Sequence, residues 1–137
     1  MTEGELLLRI ASMLRQDIAP AIDAEYPKTQ AFMAAVVLQK LGQQIALAPE
    51  HARAAAADSD ALITALTASA AAASIPEGVR RTITELGRKR DAATLCRLIE
   101  ALYANRTALG ERRFVEMLAR VRETLRADIE RRMDYAE

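Results

Sequence analysis

Apolar residues return every three to four positions along this chain, and nowhere do they alternate with polar ones over the length of a strand. A pattern with that period forms helices that each carry an apolar stripe, and the stripe has to be buried against another helix. β-Branched residues are too sparse to support a sheet. The fold class expected is therefore all-α, a five- or six-helix bundle-like single domain over residues 1–137. The 137 residues, 51% of them apolar and 28% charged, suffice for a hydrophobic core and have a globular rather than a disordered balance.

Prolines, glycines and capping residues divide the helical pattern. Thr2 and Glu5 form a Thr-x-x-Glu capping box for a first helix, with Leu7, Ile10, Leu14 and Ile18 on its inner stripe and Pro20 ending or bending it. Pro27 suits the first turn of a second helix. There Phe32, Met33, Val36, Val37, Leu38, Leu41 and Ile45 cover more than one face, which predicts a central position. Gly42 inside it costs about 1 kcal/mol against alanine unless a neighbour packs closely on it.

Pro49 marks the next boundary, followed by an alanine-rich helical segment in which Ala54 to Ala57 and Ala70 to Ala73 flank Leu62, Ile63 and Leu66. Asp58-Ser59-Asp60 caps a fresh helix or sits on a turn. Pro76 opens a helix with Val79, Ile83 and Leu86 inward, closed by Gly87. Asp91 caps the next, with Leu95, Leu98, Ile99 and Leu102 inward, and Asn105 to Gly110 reads as a loop. The last helix runs from Glu111 to Tyr135, its stripe Phe114, Leu118, Val121, Leu125 and Ile129 backed by charged pairs such as Arg112 with Glu116.

Charge and composition narrow the function classes. Nineteen basic residues balance nineteen acidic ones, so the surplus that nucleic-acid binding needs is missing. Residues 1–75 hold five basic and eight acidic groups, and residues 76–137 hold fourteen and eleven, a mild asymmetry that suits docking without identifying a partner. The acidic start Met1-Thr2-Glu3-Gly4-Glu5 is unlike a secretory signal, and no uninterrupted apolar run approaches the length of a membrane span, so a cytoplasmic setting without membrane contact is expected.

No spacing assembles a catalytic or metal site. His51 and Cys96 are the only residues of their kinds; His51 reads as a surface or capping residue and Cys96 as an inert core thiol. No Glu-x-x-His pattern, phosphate loop or nucleophile elbow is present, so neither cofactor nor metal is expected. Arg88, Lys89 and Arg90 are a candidate contact for an anion or an acidic protein surface, set against the ordinary preference of cations for helix ends. Met33, Val37, Cys96 and Tyr103 can line an apolar pocket between helices or simply fill a core. Leu125, Ile129 and Met133 extend the stripe of the last helix beyond what the short first helix can cover, which predicts an interface and a homodimer, with a different partner protein as the rival.

The stretch Leu6-Leu7-Leu8-Arg9-Ile10-Ala11-Ser12-Met13-Leu14-Arg15, followed by Ile18-Ala19-Pro20-Ala21-Ile22, resembles the opening of a bacterial family of uncharacterised helical domains. Leu118 to Met133 is similar to that family's closing helix. Its members accompany phosphotransferases of the aminoglycoside-kinase type, often beside acyl-CoA dehydrogenases. The family's second helix usually carries an Arg and an Asn among its alanines, whereas Gln30 to Val36 has neither, and no functional residue is carried over. The resemblance implies an accessory protein for a kinase-like enzyme. The function expected is thus a non-enzymatic helical interaction or accessory protein; the alternative is a small-molecule-binding or enzymatic bundle with an apolar interhelical pocket.

Overall fold

The computed structural model describes residues 1–72 and 74–134. Ala73 and Tyr135, which the sequence places in an alanine run and at the end of the last helix, lie outside the described residues. The fold is all-α: α1 (Glu3–Met13), α2 (Glu25–Ala72), α3 (Glu77–Arg88), α4 (Ala92–Ala104), the single turn α5 (Arg106–Leu109) and α6 (Glu111–Met133), with no strand among the described residues. The chain divides into two compact units, residues 1–53 with 131–137, and residues 54–130.

In the first unit, the capping box forms as its chemistry requires. The Thr2 backbone N–H donates to Glu5 Oε2 at 2.7 Å, and the Glu5 N–H donates to Thr2 Oγ1 at 3.2 Å. The helix loosens before Pro20, first into a π turn over Leu14–Ile18 and then into a 3₁₀ turn over Ala19–Ala21 that holds the proline. α1 and α2 approach closely through small residues. A Cβ on Gly42 would lie 3.0 Å from the Gly4 carbonyl oxygen and 3.0 Å from Leu8 Cγ, and one on Gly4 would lie 3.0 Å from the Gly42 oxygen. The packing neighbour that a mid-helix glycine needs is therefore present. All the buried residues described in this unit are small: Gly4, Ala11, Ala19, Ala35 and Gly42.

That seam reverses the expected role of the second helix. Phe32, Met33, Val36, Val37, Leu41 and Ile45 are exposed, Met33 at 60% and Val37 at 54%, so the first half of α2 is not central. The reason is rotational. Ala35 and Gly42 stand seven residues apart on one side of the helix, and turning that side to α1 sends the large side chains outward.

The boundary expected at Pro49 does not exist either: α2 continues through it, and through Asp58-Ser59-Asp60, as one 48-residue helix. Proline removes the bond to the carbonyl four residues back and its ring crowds that carbonyl, but Ile45 and Pro49 are both exposed, on a side open to water. The alanines beyond it have the highest helix propensity and keep the helix going.

The second unit has an ordinary core. Leu62, Leu66 and Ala70 of α2 join Ile75, Val79, Ile83, Leu86, Leu98, Leu102, Leu109, Phe114, Met117, Leu118 and Val121 in one buried cluster. These include the inward residues expected of α3 and the first half of α6 and, of those expected on α4, Leu98 and Leu102, while Leu95 and Ile99 pack against the cluster partly buried. Pro76 precedes α3, its carbonyl accepting from the Val79 and Arg80 N–H groups. Gly87 does not close that helix; it lies inside α3, which ends at Arg88. The expected loop from Asn105 to Gly110 instead winds into α5, which Gly110 terminates at φ 83. Phe114 meets Tyr103 edge to face at 5.1 Å, with the Arg106 guanidinium 4.6 Å above its ring.

Two glycine substitutions test this packing in opposite directions. Gly42→Leu forces α1 and α2 apart and should destabilise the protein by about 1–3 kcal/mol. Gly87→Ala meets nothing within 4 Å and should stabilise it by about 0.5–1 kcal/mol. Thermal unfolding followed by circular dichroism checks both; an unchanged melting temperature for Gly42→Leu contradicts the close seam.

Candidate functional site

The basic junction between α3 and α4 is organised around a carboxylate. Asp91 is the N-cap of α4, its Oδ1 accepting from the Thr94 backbone N–H at 2.8 Å and from the Thr94 hydroxyl at 2.7 Å. These two hydrogen bonds, the hydroxyl's foremost, hold the Asp91 carboxyl below its ordinary value, with smaller help from Lys89 and Arg97. Lys89 Nζ lies 3.8 Å from Asp91 Oδ2, and Arg90 is hydrogen-bonded to Asp60 of α2. Arg97 binds Glu85 at 2.8 Å, linking α4 to α3.

Two of the three candidate anion contacts, Lys89 and Arg90, thus face carboxylates of their own unit. Arg88 stands apart from that pairing: it lines an open groove of about 540 Å³ on α3 with Glu77, Arg80, Arg81, Thr84 and Glu85. The mixed signs in that groove give no concentrated positive field.

The four residues expected to line an apolar pocket are all exposed to solvent. Met33 and Val37 are on the outer side of α2 in the first unit. Cys96 is exposed on α4, which corrects the expectation of an inert core thiol, and Tyr103 is 47% exposed, its hydroxyl accepting from Arg122 at 3.0 Å. Leu98 and Leu102 take the buried side of α4, and Cys96, two residues before Leu98, falls outside it.

The cavities that do form are open and mixed in lining. One of about 300 Å³ lies between α2 and α6, against Asp58, Leu62, Arg120, Glu123 and Thr124. Another of about 640 Å³ lies beside the start of α6, against Ser69, Ile75, Arg112, Arg113 and Glu116. Arg106 and Glu111 pair at 2.6 Å near it, and that hydrogen bond keeps the Glu111 carboxyl below its ordinary value. No cluster of three or more potential metal ligands occurs among the described residues. His51 Nε2 lies 3.3 Å from Asp134 Oδ2, an ion pair when the imidazole is protonated.

On α6, Leu125 is partly buried against the core of the second unit. Ile129 and Met133 are each exposed, at 59% and 60%.

The largest unsatisfied feature is therefore the outer face of α2, which the sequence reading assigned to the interior. Its signal was present in the sequence: between Thr29 and Pro49 the only charged residue is Lys40. By length and composition α2 is also apolar enough to cross a membrane, which corrects the expectation that no stretch is. Counting uninterrupted apolar runs misses it, because Gln39-Lys40 and Gln43-Gln44 break the run without adding much charge.

The Asp91 cap gives a pH-dependent prediction. A carboxyl depressed in the folded state stabilises it above the unfolded value and loses that contribution as pH falls through the folded one. Asp91→Asn keeps a capping oxygen but cannot titrate. It should melt below the wild type at neutral pH, and the gap should close as pH drops below the ordinary value of 3.8. A gap that stays constant down to pH ~2 contradicts this account.

No protein-family model, curated protein or solved structure matches this chain.

Proposed function

We propose that this chain is a non-enzymatic helical interaction protein whose docking surface is the outer face of α2 in the first unit. The observation that carries the reading is the exposure of six large apolar side chains of α2, Phe32, Met33, Val36, Val37, Leu41 and Ile45, of which Met33, Val36, Val37 and Leu41 share the side away from α1. Exposed apolar area in one contiguous patch costs solubility and marks a binding surface far more often than it marks nothing. No group of three or more His, Cys, Asp or Glu side chains converges as a metal site among the described residues, and the cavities are open and mixed in lining.

The resemblance of the first helix to domains that accompany kinase-like enzymes supports the accessory role, with a phosphotransferase-like enzyme as one partner class and a cytoplasmic setting as its place of action. The partner class rests on the resemblance, and the cytoplasmic setting on the acidic start of the sequence and its lack of an uninterrupted apolar run.

Affinity purification from the native host tests the reading. The tagged wild type should recover a stoichiometric protein, either a different chain or an untagged copy of this one. Met33→Asp/Val37→Asp should lose it while keeping its helical circular dichroism. Recovery of no protein by the wild type, or equal recovery by the variant, overturns the proposal.

A further inference from the structure

Resting on that interaction reading, we infer that the occupant of the α2 face is a second copy of this chain, held by a twofold axis that packs α2 against α2. The first unit supplies the need. Its described residues fully bury no side chain larger than alanine, and Leu7, Leu8, Ile10, Leu14 and Leu38 are only partly buried, so its helical hairpin lacks a fully buried core of its own. A second hairpin laid on the exposed face provides one.

The area fits. Met33, Val36, Val37 and Leu41 share one side of α2, and with the exposed Tyr26 on that side their exposed fractions amount to on the order of 500 Å² per copy, about 1,000 Å² for the pair, which is where specific interfaces begin. The neighbouring alanine and glutamine side chains add to it.

Composition favours self-association over a transient partner. Transient interfaces are about as polar as the rest of a protein surface, whereas permanent homodimer interfaces resemble a domain core cut in half. The α2 face has the second character, with Lys40 the only charge between Thr29 and Pro49. A face with a single charge can meet itself with little repulsion. In an antiparallel crossing centred on Val37 the two Lys40 residues lie about 9 Å apart along the helix direction, on opposite sides of the crossing. Their stems can lie on apolar surface while the ammonium groups reach water. A membrane surface is the poorer occupant, because helices that lie on membranes carry rows of Lys and Arg beside their apolar face. Lys40 alone does not make such a row.

Size exclusion with light scattering on the full chain at micromolar concentration tests the inference. The wild type should have twice the 15.0 kDa chain mass. Val37→Asp should halve it, and the milder Met33→Ser/Val37→Ser should do the same with helical circular dichroism intact. Ile129→Asp on α6 should leave the dimer unchanged. A single-chain mass for the wild type overturns self-pairing, as does a dimer lost in Ile129→Asp but kept in Val37→Asp. If the single-chain wild type still captures a different protein through α2, the interaction reading stands without self-pairing. If instead it binds phosphatidylcholine vesicles and no protein, both fail.

Discussion

Where the Gly4 carbonyl oxygen comes within 3.0 Å of the position a Gly42 Cβ would take, α1 and α2 are closer than any side chain at either site would permit. Ala11, Ala19 and Ala35 are buried in the same unit, so its fully buried side chains are small, while Leu8 packs on Gly42 only partly buried. Such a seam brings the backbones together at the expense of apolar burial, since glycine and alanine remove little area from water. The large side chains of α2 are turned away by the same rotation. The exposed side of α2 and the small size of the fully buried side chains described in the first unit both descend from this one contact.

The second unit obeys the opposite economy of space. Leucine, isoleucine, valine, methionine and phenylalanine from five helices meet in one cluster, and polar detail fixes the helix ends around it. Thr94, fully buried, is tolerated there because its hydroxyl donates to the Asp91 cap. The basic junction fits the same logic. Lys89 and Arg90 sit near the end of α3, where cations complement the helix dipole, and each has a carboxylate to face.

Local chemistry was readable from the residues, and partner choice was not. The Thr2–Glu5 box, the Asp91 cap, the start of α3 after Pro76 and the inward positions of α3, α4 and early α6 follow from short-range rules that the fold leaves undisturbed. Pro49 is not a boundary because the carbonyl it crowds and leaves unbonded belongs to an exposed stretch, and the alanines beyond have the propensity to carry the helix on. The outer face of α2 was misread because periodicity counts apolar residues without saying which neighbour each one meets. Phe32, Val37 and Ile45 look like core on any such count; only the seven-residue spacing of Ala35 and Gly42 marks the side that α1 takes. Cys96 and Tyr103 were misplaced on α4 for the same reason, since Leu98 and Leu102 define its buried side.

The central claim is that the first unit depends on a partner for its apolar burial and the second does not. Backbone hydrogen exchange measured over a range of protein concentrations separates the two most directly. The amides of residues 29–48 should gain protection as concentration rises through the association range, while those of α3 and α4 stay constant. Equal and concentration-independent protection in both regions would contradict the claim, because it would mean that the α1–α2 hairpin holds its structure with its large side chains left in water.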